Sequence, residues 1–545
     1  MNRRSVKIVK EAMVSEIERS MSKLRSPGHP KPYFISYLAR DHQSYNVWGR
    51  YGSVATERRD HKRNCYTDLR VGSYKYDQIT EGGLEDNSED AESFELIDLP
   101  CDNNLDATRF CLWRLTDAKY REAVKAYHGR KARDVSYLDE NKGLGSFRVA
   151  SSSISESKIR AFNIDQKHYR VLVKKLSLLF KAELDVKNSY VEFQADLETK
   201  VFVSSEGVQR VWQVPTFQLN IYFWYLTKKY NQDFSLNFVL ADLGELPDYR
   251  ALKREIIAKI DLAKKISKGS VMTSYAGPVL LAPKPAGLFI HEVLGHRLEG
   301  SRLLADSEGK TFKDKLGEKV MNSELSVIDD PTLKEVSGSS LVGHYPYDDE
   351  GSLAKAVTLI ENGVLKNFLS TRSPLKQQKD CFSNGHARSQ NFERPISRMA
   401  NLIVRAQSGL SWPNLKQKLI NEVVDKGLPF GVVLYEVEGG ETGTEAYDFQ
   451  AFLGEITVAT KIFADGREEY IRGVDFVGTP LASLNTIIAA GNVLELDNGY
   501  CGAESGTIPV STLSPSLLLR NLELQSKDST KVTQYRLPLP WVDDG

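Results

Sequence analysis

An amphipathic helix near the middle of this chain does most to constrain its fold. The helix opens near Pro247 and Asp248 and stops at Gly269. Its apolar residues recur on one face, at Leu252, Ile256, Ile257, Ile260 and Ile266. Strand-rich sequence lies on both sides, and 545 residues are too many for one ordinary core. The sequence therefore predicts four parts, namely an amino-terminal helical extension (1–29), an amino-terminal α+β domain (30–245), a connector helix (246–270) and a β-rich domain (271–545).

The amino-terminal half has the pattern of strands interrupted by helices. Aromatic and β-branched residues are frequent from Pro32 to Ser73 and from Tyr190 to Leu240, where Ser205-Glu206-Gly207 predicts a tight turn. Helical stretches near Asp117–Tyr127 and Gln166–Ala182 lie between these strand-rich segments. This order favours helices layered on a sheet.

The carboxy-terminal half favours hairpins instead. Asn362-Gly363 and Asp465-Gly466 each lie between two apolar runs and predict tight β turns. Glu81–Asp102, back in the first half, is acidic and broken by Gly and Asn, which predicts a surface loop. We therefore expect an α+β fold: an amino-terminal α/β-layered domain followed by a mainly antiparallel β domain.

Composition excludes several classes of function. With 72 basic and 72 acidic side chains the net charge is zero, so nothing draws the whole chain toward nucleic acid or anionic membranes. No apolar run is long enough to span a bilayer, and the first residues alternate charge and apolar character instead of forming a signal-peptide core. Five scattered cysteines disfavour a disulfide framework. We expect a cytoplasmic protein.

The stretch HEVLGHRLEG, from His291 to Gly300, raises the possibility of a metal site. Its two histidines are five residues apart, whereas the H-E-x-x-H helix of zinc hydrolases spaces them four apart. On a regular helix their side chains would diverge by roughly 140°, but a single π turn would return them to one face. Gly295 makes such a distortion less costly. The spacing predicts either a helix distorted near Gly295 that holds a metal, or histidines packed in a core.

The surrounding sequence predicts how this stretch is held. Gly277–Pro283 is typical of a buried strand, Lys284–Gly287 of a turn, and Leu288–Gly300 of a helix. With a metal on the two histidines, Glu292 would lie beside it, placed to take a proton from water whose pKa the ion lowers to about 7.

Four segments together resemble the TldD/PmbA family of metallopeptidases, in its zinc-bearing TldD branch. AGLFIHEVLGHRLEG resembles the metal helix of that branch, and DDEGSLAKAVTLIENGVLKNFLSTR, from Asp348, is similar to a turn and hairpin of the family. SNGHARSQNFERPISRMANL, from Ser383, and NGYCGAESGTIPVSTLSPSLLLRNLEL, from Asn498, resemble its later segments. The segments keep the family's order across roughly residues 277–524.

This resemblance implies the chemistry of the site. It implies that His291, His296 and Cys501 bind zinc, one ion per zinc-bearing subunit, and that Glu292 is the general base. It also implies a zinc-dependent peptidase that hydrolyses unfolded or small peptides in an enclosed chamber between two subunits. The partner is expected to be a second copy, although a heterodimer with a zinc-free paralogue is possible within the family.

Further polar residues have two interpretations each. Glu299 is either a hydrogen-bond partner of a ligand histidine or a solvated helix-end residue. The acidic run Asp348 to Glu350 is either a second metal site or a turn that satisfies its own backbone. His386, Arg388 and Arg398 either orient a substrate carbonyl or carboxylate, His386 and Arg398 being the substrate-binding candidates, or lie in a surface loop.

Two other functions remain as alternatives. The first is a non-catalytic scaffold or partner subunit of a TldD/PmbA-type complex, which the joint presence of His291, Glu292, His296 and Cys501 disfavours. The second is a nucleic-acid-associated regulator, because proteins of this family have been described as modulators of DNA gyrase. The neutral charge disfavours it, and the basic stretch Glu57–Asn64 is alternatively a solvated loop. We expect neither a nucleic acid nor a membrane as partner.

Overall fold

The architecture is described from a computed structural model of the chain. The structure describes residues 1–84, 97–135, 143–228, 230–447, 450–527 and 539–541. Most of the predicted surface loop from Glu81 to Asp102 therefore lies outside the described residues. No helix in the described ranges is long and apolar enough to cross a membrane.

Helices cover one face of the amino-terminal sheet. In the second half, one helix leads directly into His291–Gly300, called the metal-site motif below. The α-helices of the described residues are α1 (Arg3–Lys23), α2 (Leu105–Arg133), α3 (Gln166–Ser177), α4 (Tyr249–Ile266), α5 (Pro283–Ile290), α6 (Trp412–Asp425) and α7 (Pro480–Leu484). A 3-10 turn, Leu178–Ala182, extends α3. Both helical stretches predicted for the first half are present, the first longer than expected.

The amino-terminal sheet has six strands among the described residues. They are β1 (Pro32–Arg50), β2 (Ser53–Val71), β3 (Ser153–Glu156), β4 (Val186–Ser204), β5 (Val208–Thr227) and β6 (Tyr230–Leu240). The order is β2-β1-β4-β5, and β5 also pairs with β6 and, in parallel, with the short β3. The predicted turn at Ser205-Glu206-Gly207 joins β4 to β5. The basic stretch Glu57–Asn64 lies in β2 and not in a loop, but Arg58, Arg59, His61 and Lys62 are solvent-exposed as that interpretation expected.

Alternation along the strands decides what each face of this sheet contacts. Odd-numbered residues of β1 and β4, such as Ile35 and Phe193, are buried under α1 and α2 at one end of the sheet and under α3 and α4 at the other. Even-numbered residues point to the opposite face, where Phe202 and Trp212 pack with Tyr347 of the second half. The first half is thus an α/β layer whose bare face turns toward the second half.

The second half is built on a sheet of twelve strands. Its strands and the short ones around it are β7 (Ser270–Val271), β8 (Ser274–Leu281), β9 (Leu325–Asp329), β10 (Glu335–Val336), β11 (Ser339–Ser340), β12 (Val357–Glu361), β13 (Val364–Leu365), β14 (Ala387–Arg388), β15 (Ile396–Ser397), β16 (Asn401–Ala406), β17 (Gly431–Thr442), β18 (Phe452–Ile462), β19 (Glu468–Arg472), β20 (Val474–Gly478), β21 (Ile487–Ala503) and β22 (Gly506–Ser526). Both predicted hairpin turns are confirmed, between β12 and β13 and between β18 and β19.

The strands of this sheet follow one path with two branches. The path runs β13-β12-β9-β16-β22-β8-β17-β18-β19-β7, with β20 on β18 and β22, and β21 on β22. Pairs β16–β22, β8–β17 and β7–β19 are parallel and the others are antiparallel. The predicted α+β class and the mainly antiparallel second domain are confirmed.

The segment that follows β8 is helical earlier than its sequence predicts. Lys284–Gly287 is not a turn but part of α5, which starts at Pro283. A proline in the first turn of a helix loses no hydrogen bond and its φ angle is already helical, so Pro283 and Pro285 start α5 rather than delay it. The helix then packs Phe289 and Ile290 into the main core of the second half.

Candidate metal centre

The distortion predicted near Gly295 is confirmed. After α5, residues His291–Gly295 form a π-helix and His296–Leu298 a 3-10 turn, so the helical run ends two residues before the predicted Gly300. The wide turn brings the two imidazoles onto one face, with ring centroids 5.0 Å apart. A methyl group on Gly295 would lie 2.1 Å from Sδ of Met399, so the close packing here also requires glycine.

The third member of the cluster comes from β21, two hundred residues later. Sγ of Cys501 lies 3.3 Å from Nε2 of His291 and 3.3 Å from Nε2 of His296. The three ligand atoms all lie within 4.8 Å of one another, and all three residues are buried. Within the described ranges this is the single group of three or more His, Cys, Asp and Glu residues close enough to hold one metal ion.

The donor set fits zinc. Zinc prefers tetrahedral sites with imidazole nitrogen and thiolate sulfur at about 2.0–2.3 Å, which places neighbouring ligand atoms about 3.5 Å apart. The two 3.3 Å separations between Cys501 and the imidazoles are close to that spacing. Three protein ligands leave a fourth position for water or substrate.

Electrostatic interactions among these side chains shift their pKa values in opposite directions. Burial alone would raise the pKa of the Cys501 thiol, but the imidazoles of His296 and His291 hold it well below its ordinary value. Burial would lower the pKa of both histidines, yet the Cys501 thiolate more than offsets it, so both pKa values are raised. Without metal, the cluster is a thiolate held between protonated imidazoles.

Glu292 lies beside the cluster, and its carboxylate has no hydrogen-bond partner among the described residues. It is 5% exposed, and none of the described residues donates a hydrogen bond to its carboxylate. Burial raises the pKa of Glu292, against the lowering effect of the neighbouring imidazoles. Strand β17 passes close by, since a methyl group on Gly440 would lie 3.2 Å from Cγ of Glu292. The carboxylate is therefore available to a bound molecule.

Glu299 is buried, not solvated. Its Oε2 lies 3.2 Å from Nδ1 of His296 and accepts a hydrogen bond of 3.1 Å from Nε of Arg302. Burial would raise the pKa of Glu299, but His296 and Arg302 bring it down to about 2. A carboxylate on the far nitrogen of a ligand histidine fixes the ring and leaves Nε2 free for a metal.

Arg398 contacts the cysteine rather than the cleft. Its Nη2 donates to the backbone oxygen of Cys501 at 2.7 Å and to Sγ at 3.2 Å. His386 is also fully buried, with Nε2 3.2 Å from Oδ1 of Asp329, and Arg388 donates to the backbone oxygen of Pro509 at 2.8 Å. The surface-loop interpretation is therefore wrong for all three predicted residues, of which Arg398 alone touches the metal cluster.

The acidic run after residue 347 behaves as a turn with ion pairs. Oδ1 of Asp348 accepts from the backbone nitrogens of Glu350 and Ser352 at 3.0 and 2.8 Å. Asp349 pairs with Arg40 and Lys200 at 2.9 and 2.7 Å. Asp349 thus joins the two halves of the chain through its ion pairs.

The cluster opens into a cleft of about 1260 Å³ between the two halves. One wall is the even-numbered face of β5 together with β6. The other wall consists of the metal-site motif, β17 from Tyr435 to Thr442, and β21 from Glu495 to Ala503. Because β17 pairs with β8 only over Val432–Leu434, the following residues of β17 lie along the cleft.

The sequence analysis did not identify two arginines, Arg297 within the metal-site motif and Arg302 just after it. Arg302 pairs with Glu299, Glu308 and Glu504, and Arg297 donates to the backbone oxygen of Glu292 at 2.9 Å. Both arginines are buried. The signal was present, because charged residues in a segment predicted to be buried must find partners.

Comparison with known proteins places this geometry in a family. A family model described as the PmbA/TldA metallopeptidase C-terminal domain matches residues 274–526, which include the whole cluster. This domain of the chain belongs to the TldD/PmbA family. The assignment rests on residues 274–526, the part of the chain that contains His291, His296 and Cys501.

Individual relatives of this chain are also named metalloproteases. A metalloprotease of Archaeoglobus fulgidus is 34% identical over 245 residues, covering 44% of this chain and 51% of that protein. A zinc metalloprotease TldD homolog of Saccharolobus solfataricus is 28% identical over 295 residues, covering 53% of this chain and 57% of that protein. The chain thus spans about half the length of the curated relatives it matches.

The fold likeness extends further than the sequence likeness. The crystal structure of TldE from Thermococcus kodakarensis superposes with a TM-score of 0.59 and 12% identity, covering 94% of this chain and all of that one. The amino-terminal half of the chain therefore shares the fold of that structure at low sequence identity.

Proposed function

We propose that this protein is a zinc-dependent peptidase that hydrolyses unfolded or small peptides. The observation that carries the proposal is the convergence of two imidazoles and a thiolate beside Glu292, a buried carboxylate to which no described residue donates a hydrogen bond. Buried carboxylates in structural roles are paired, so an unpaired one facing a cleft favours a chemical role. The names of the metalloprotease relatives agree with this chemistry.

Each residue of the site has a separate role in metal binding or proton transfer. His291, His296 and Cys501 would hold one zinc ion per subunit, which supplies a Lewis acid that polarises a peptide carbonyl and makes water more acidic. Glu292 accepts a proton from the attacking water and passes it to the leaving amine. Its raised pKa suits both steps, because a group that titrates closer to neutral pH gives and takes protons more readily.

Burial of the cluster supports a restriction on substrates. His291, Glu292, His296 and Cys501 are each at most 7% exposed. A peptide bond can reach them only in a flexible chain that enters the cleft, whereas a folded protein cannot. We further propose that a second subunit closes the cleft into a chamber, in a homodimer or in a pair with a zinc-free paralogue.

Metal content and hydrolysis of an unstructured peptide, measured on matched variants, test the proposal. The wild type should contain one zinc per chain and cleave the peptide. Glu292→Gln should keep zinc and lose activity, because the amide cannot take a proton. Cys501→Ala should lose zinc, whereas Cys111→Ala, which changes a cysteine outside the cluster, should behave as wild type.

Two results would overturn this function. Wild type that binds zinc stoichiometrically but cleaves no peptide supports a non-catalytic scaffold instead. Glu292→Gln that hydrolyses peptides at the wild-type rate removes the carboxylate from the mechanism.

A further inference from the structure

We propose that the cleft selects cationic peptides, and that a lysine or arginine side chain of the substrate binds between the stacked rings of Tyr190 and Tyr222 and the carboxylate of Glu438. This inference rests on the proposed function, since it concerns the cleft that contains the metal centre. It adds a substrate class that the metal cluster alone does not specify.

The first observation is that the cleft is acidic although the chain as a whole is neutral. The whole chain is neutral, with 72 basic and 72 acidic side chains, yet nine carboxylates and only three basic side chains line the cleft. A cleft with one sign of charge and low-dielectric walls concentrates ligands of the opposite sign.

The three basic side chains do not offset the remaining acids, because each is already paired. Lys259 contacts Glu436, Lys284 lies 3.4 Å from Asp497, and Arg302 binds Glu504 through two nitrogens. Six carboxylates then remain without an ion pair among the described residues: Glu255, Glu292, Glu438, Glu441, Glu445 and Glu495. The cleft therefore carries more carboxylates than lysine and arginine side chains.

The second observation is independent and lies on the opposite wall. Tyr190 and Tyr222 face each other across β4 and β5 with centroids 5.0 Å apart and planes 19° apart. Tyr222 of β5 pairs with Ser235 of β6, the neighbouring strand. The hydroxyl of Ser235 donates to both carboxylate oxygens of Glu438, at 2.8 and 3.1 Å. This contact places a carboxylate beside the aromatic pair.

Aromatic rings next to carboxylates are the surroundings that bind organic cations. A ring face attracts a Lys or Arg side chain by about 0.5–2 kcal/mol, and a carboxylate adds a charge-assisted hydrogen bond. Asp233, which accepts a hydrogen bond of 2.8 Å from the hydroxyl of Tyr222, adds a further negative charge.

The cation that fits is organic rather than a second metal ion. Within the described residues the acids of the cleft form no group of three close enough to hold a metal, a condition that only His291, His296 and Cys501 meet. Glu292 provides a second indication of a ligand in this cleft, because it is 5% exposed and no described residue donates to its carboxylate.

The test uses one unstructured peptide sequence with lysine, acetyl-lysine or glutamate at the same position. Acetylation keeps the stem of the side chain and removes the charge. We expect kcat/KM of the zinc-loaded wild type to be about tenfold higher for lysine than for acetyl-lysine and lowest for glutamate, with a preference that shrinks at high salt. Equal values for all three peptides would overturn the inference while leaving the proposed function intact.

Matched variants locate the subsite. Glu438→Gln should reduce the preference for lysine several-fold, whereas Glu335→Gln, an exposed glutamate outside the cleft, should leave it unchanged. Tyr222→Leu should reduce it and Tyr222→Phe should retain it, because phenylalanine keeps the ring face. A preference for lysine that survives both Glu438→Gln and Tyr222→Leu would rule out this subsite.

Peptide binding separates the failure of this inference from failure of the proposed function. Fluorescence anisotropy of the same labelled peptides on zinc-loaded Glu292→Gln requires no hydrolysis. If the wild type cleaves nothing but Glu292→Gln still binds the lysine peptide more tightly, the peptidase proposal fails and the cationic selection stands. Equal binding of the three peptides would instead refute the selection.

Discussion

The carboxylate of Glu299 lies 3.2 Å from Nδ1 of His296, on the side of the ring opposite the shared metal position. The same carboxylate accepts from Arg302 and lies 3.5 Å from Arg398, which in turn contacts Sγ of Cys501. One buried acid thus connects His296 with the arginine that contacts Cys501.

The first prediction concerns this carboxylate. Glu299→Gln keeps the shape but removes the charge that orients His296, and changes at such positions typically reduce metal affinity about 10–100-fold. Competition with a chromophoric chelator measures the zinc affinity. Glu308→Gln is the matched control, because Glu308 also pairs with Arg302 but does not contact His296. Equal zinc affinity in Glu299→Gln and wild type would contradict the prediction.

The second prediction concerns pH. Although burial opposes it, the Cys501 thiolate raises the pKa of His291 and His296, so in the metal-free protein both imidazoles stay protonated to higher pH than a free histidine. The pKa of Cys501 is lowered, so this residue has already lost its proton. Zinc must displace protons from the imidazoles, and its affinity should therefore increase as pH rises through and beyond 6.5.

Calorimetry in buffers of different ionisation enthalpy measures these protons. Zinc binding near neutral pH should release protons in wild type, and His291→Gln should release fewer. Proton release per bound zinc that is unchanged in His291→Gln would contradict the prediction.

The sequence specifies local features of this molecule better than distant ones. The five-residue spacing of His291 and His296 predicted the π turn, because that constraint acts within one helix. Turn residues such as Asn362-Gly363 predicted hairpins for the same reason. The start of α5 at Pro283 was missed because proline commonly marks turns and helix starts alike.

Distant contacts required either the resemblance or the structure. Cys501 joins the histidines because β22, the hairpin partner of β21, pairs with β8, the strand before α5, and no local pattern encodes the pairing of β22 with β8. The opposition of Glu438 and Tyr222 depends on how two sheets face each other, since Ser235 links strands from different halves of the chain. Such contacts are set by long-range packing, which a single sequence does not display.

The third prediction concerns the π turn. A methyl group on Gly295 would lie 2.1 Å from Sδ of Met399, and Met399 is buried, so Gly295→Ala should reduce the free energy of unfolding by about 1–3 kcal/mol. Denaturant unfolding of the zinc-free protein measures this change. The same substitution in a Met399→Ala background should cost less, because the clash is removed. Equal costs in both backgrounds would show that Met399 is not the obstacle.

The last prediction concerns Gly440 of β17, which lies next to Glu292, the proposed general base. A methyl group there would lie 3.2 Å from Cγ of Glu292, 3.1 Å from Cδ1 of Leu288 and 3.0 Å from the backbone oxygen of Leu453. Leu453 belongs to the paired strand β18, so the side chains of Leu288 and Glu292 are the neighbours that move.

Displacement of a catalytic group by about 1 Å can reduce the rate about 100-fold. The contact at Gly440 requires a shift of a few tenths of an ångström, so Gly440→Ala should reduce kcat several-fold. Zinc content should stay at the wild-type level, because the methyl group does not touch His291, His296 or Cys501. Gly439→Ala is the matched control, since a methyl group at Gly439 meets no atom within 4 Å. Peptide hydrolysis and metal analysis on both variants distinguish a displaced base from a lost metal. If Gly440→Ala lost zinc, or kept full activity, the contact between β17 and Glu292 would not position the base.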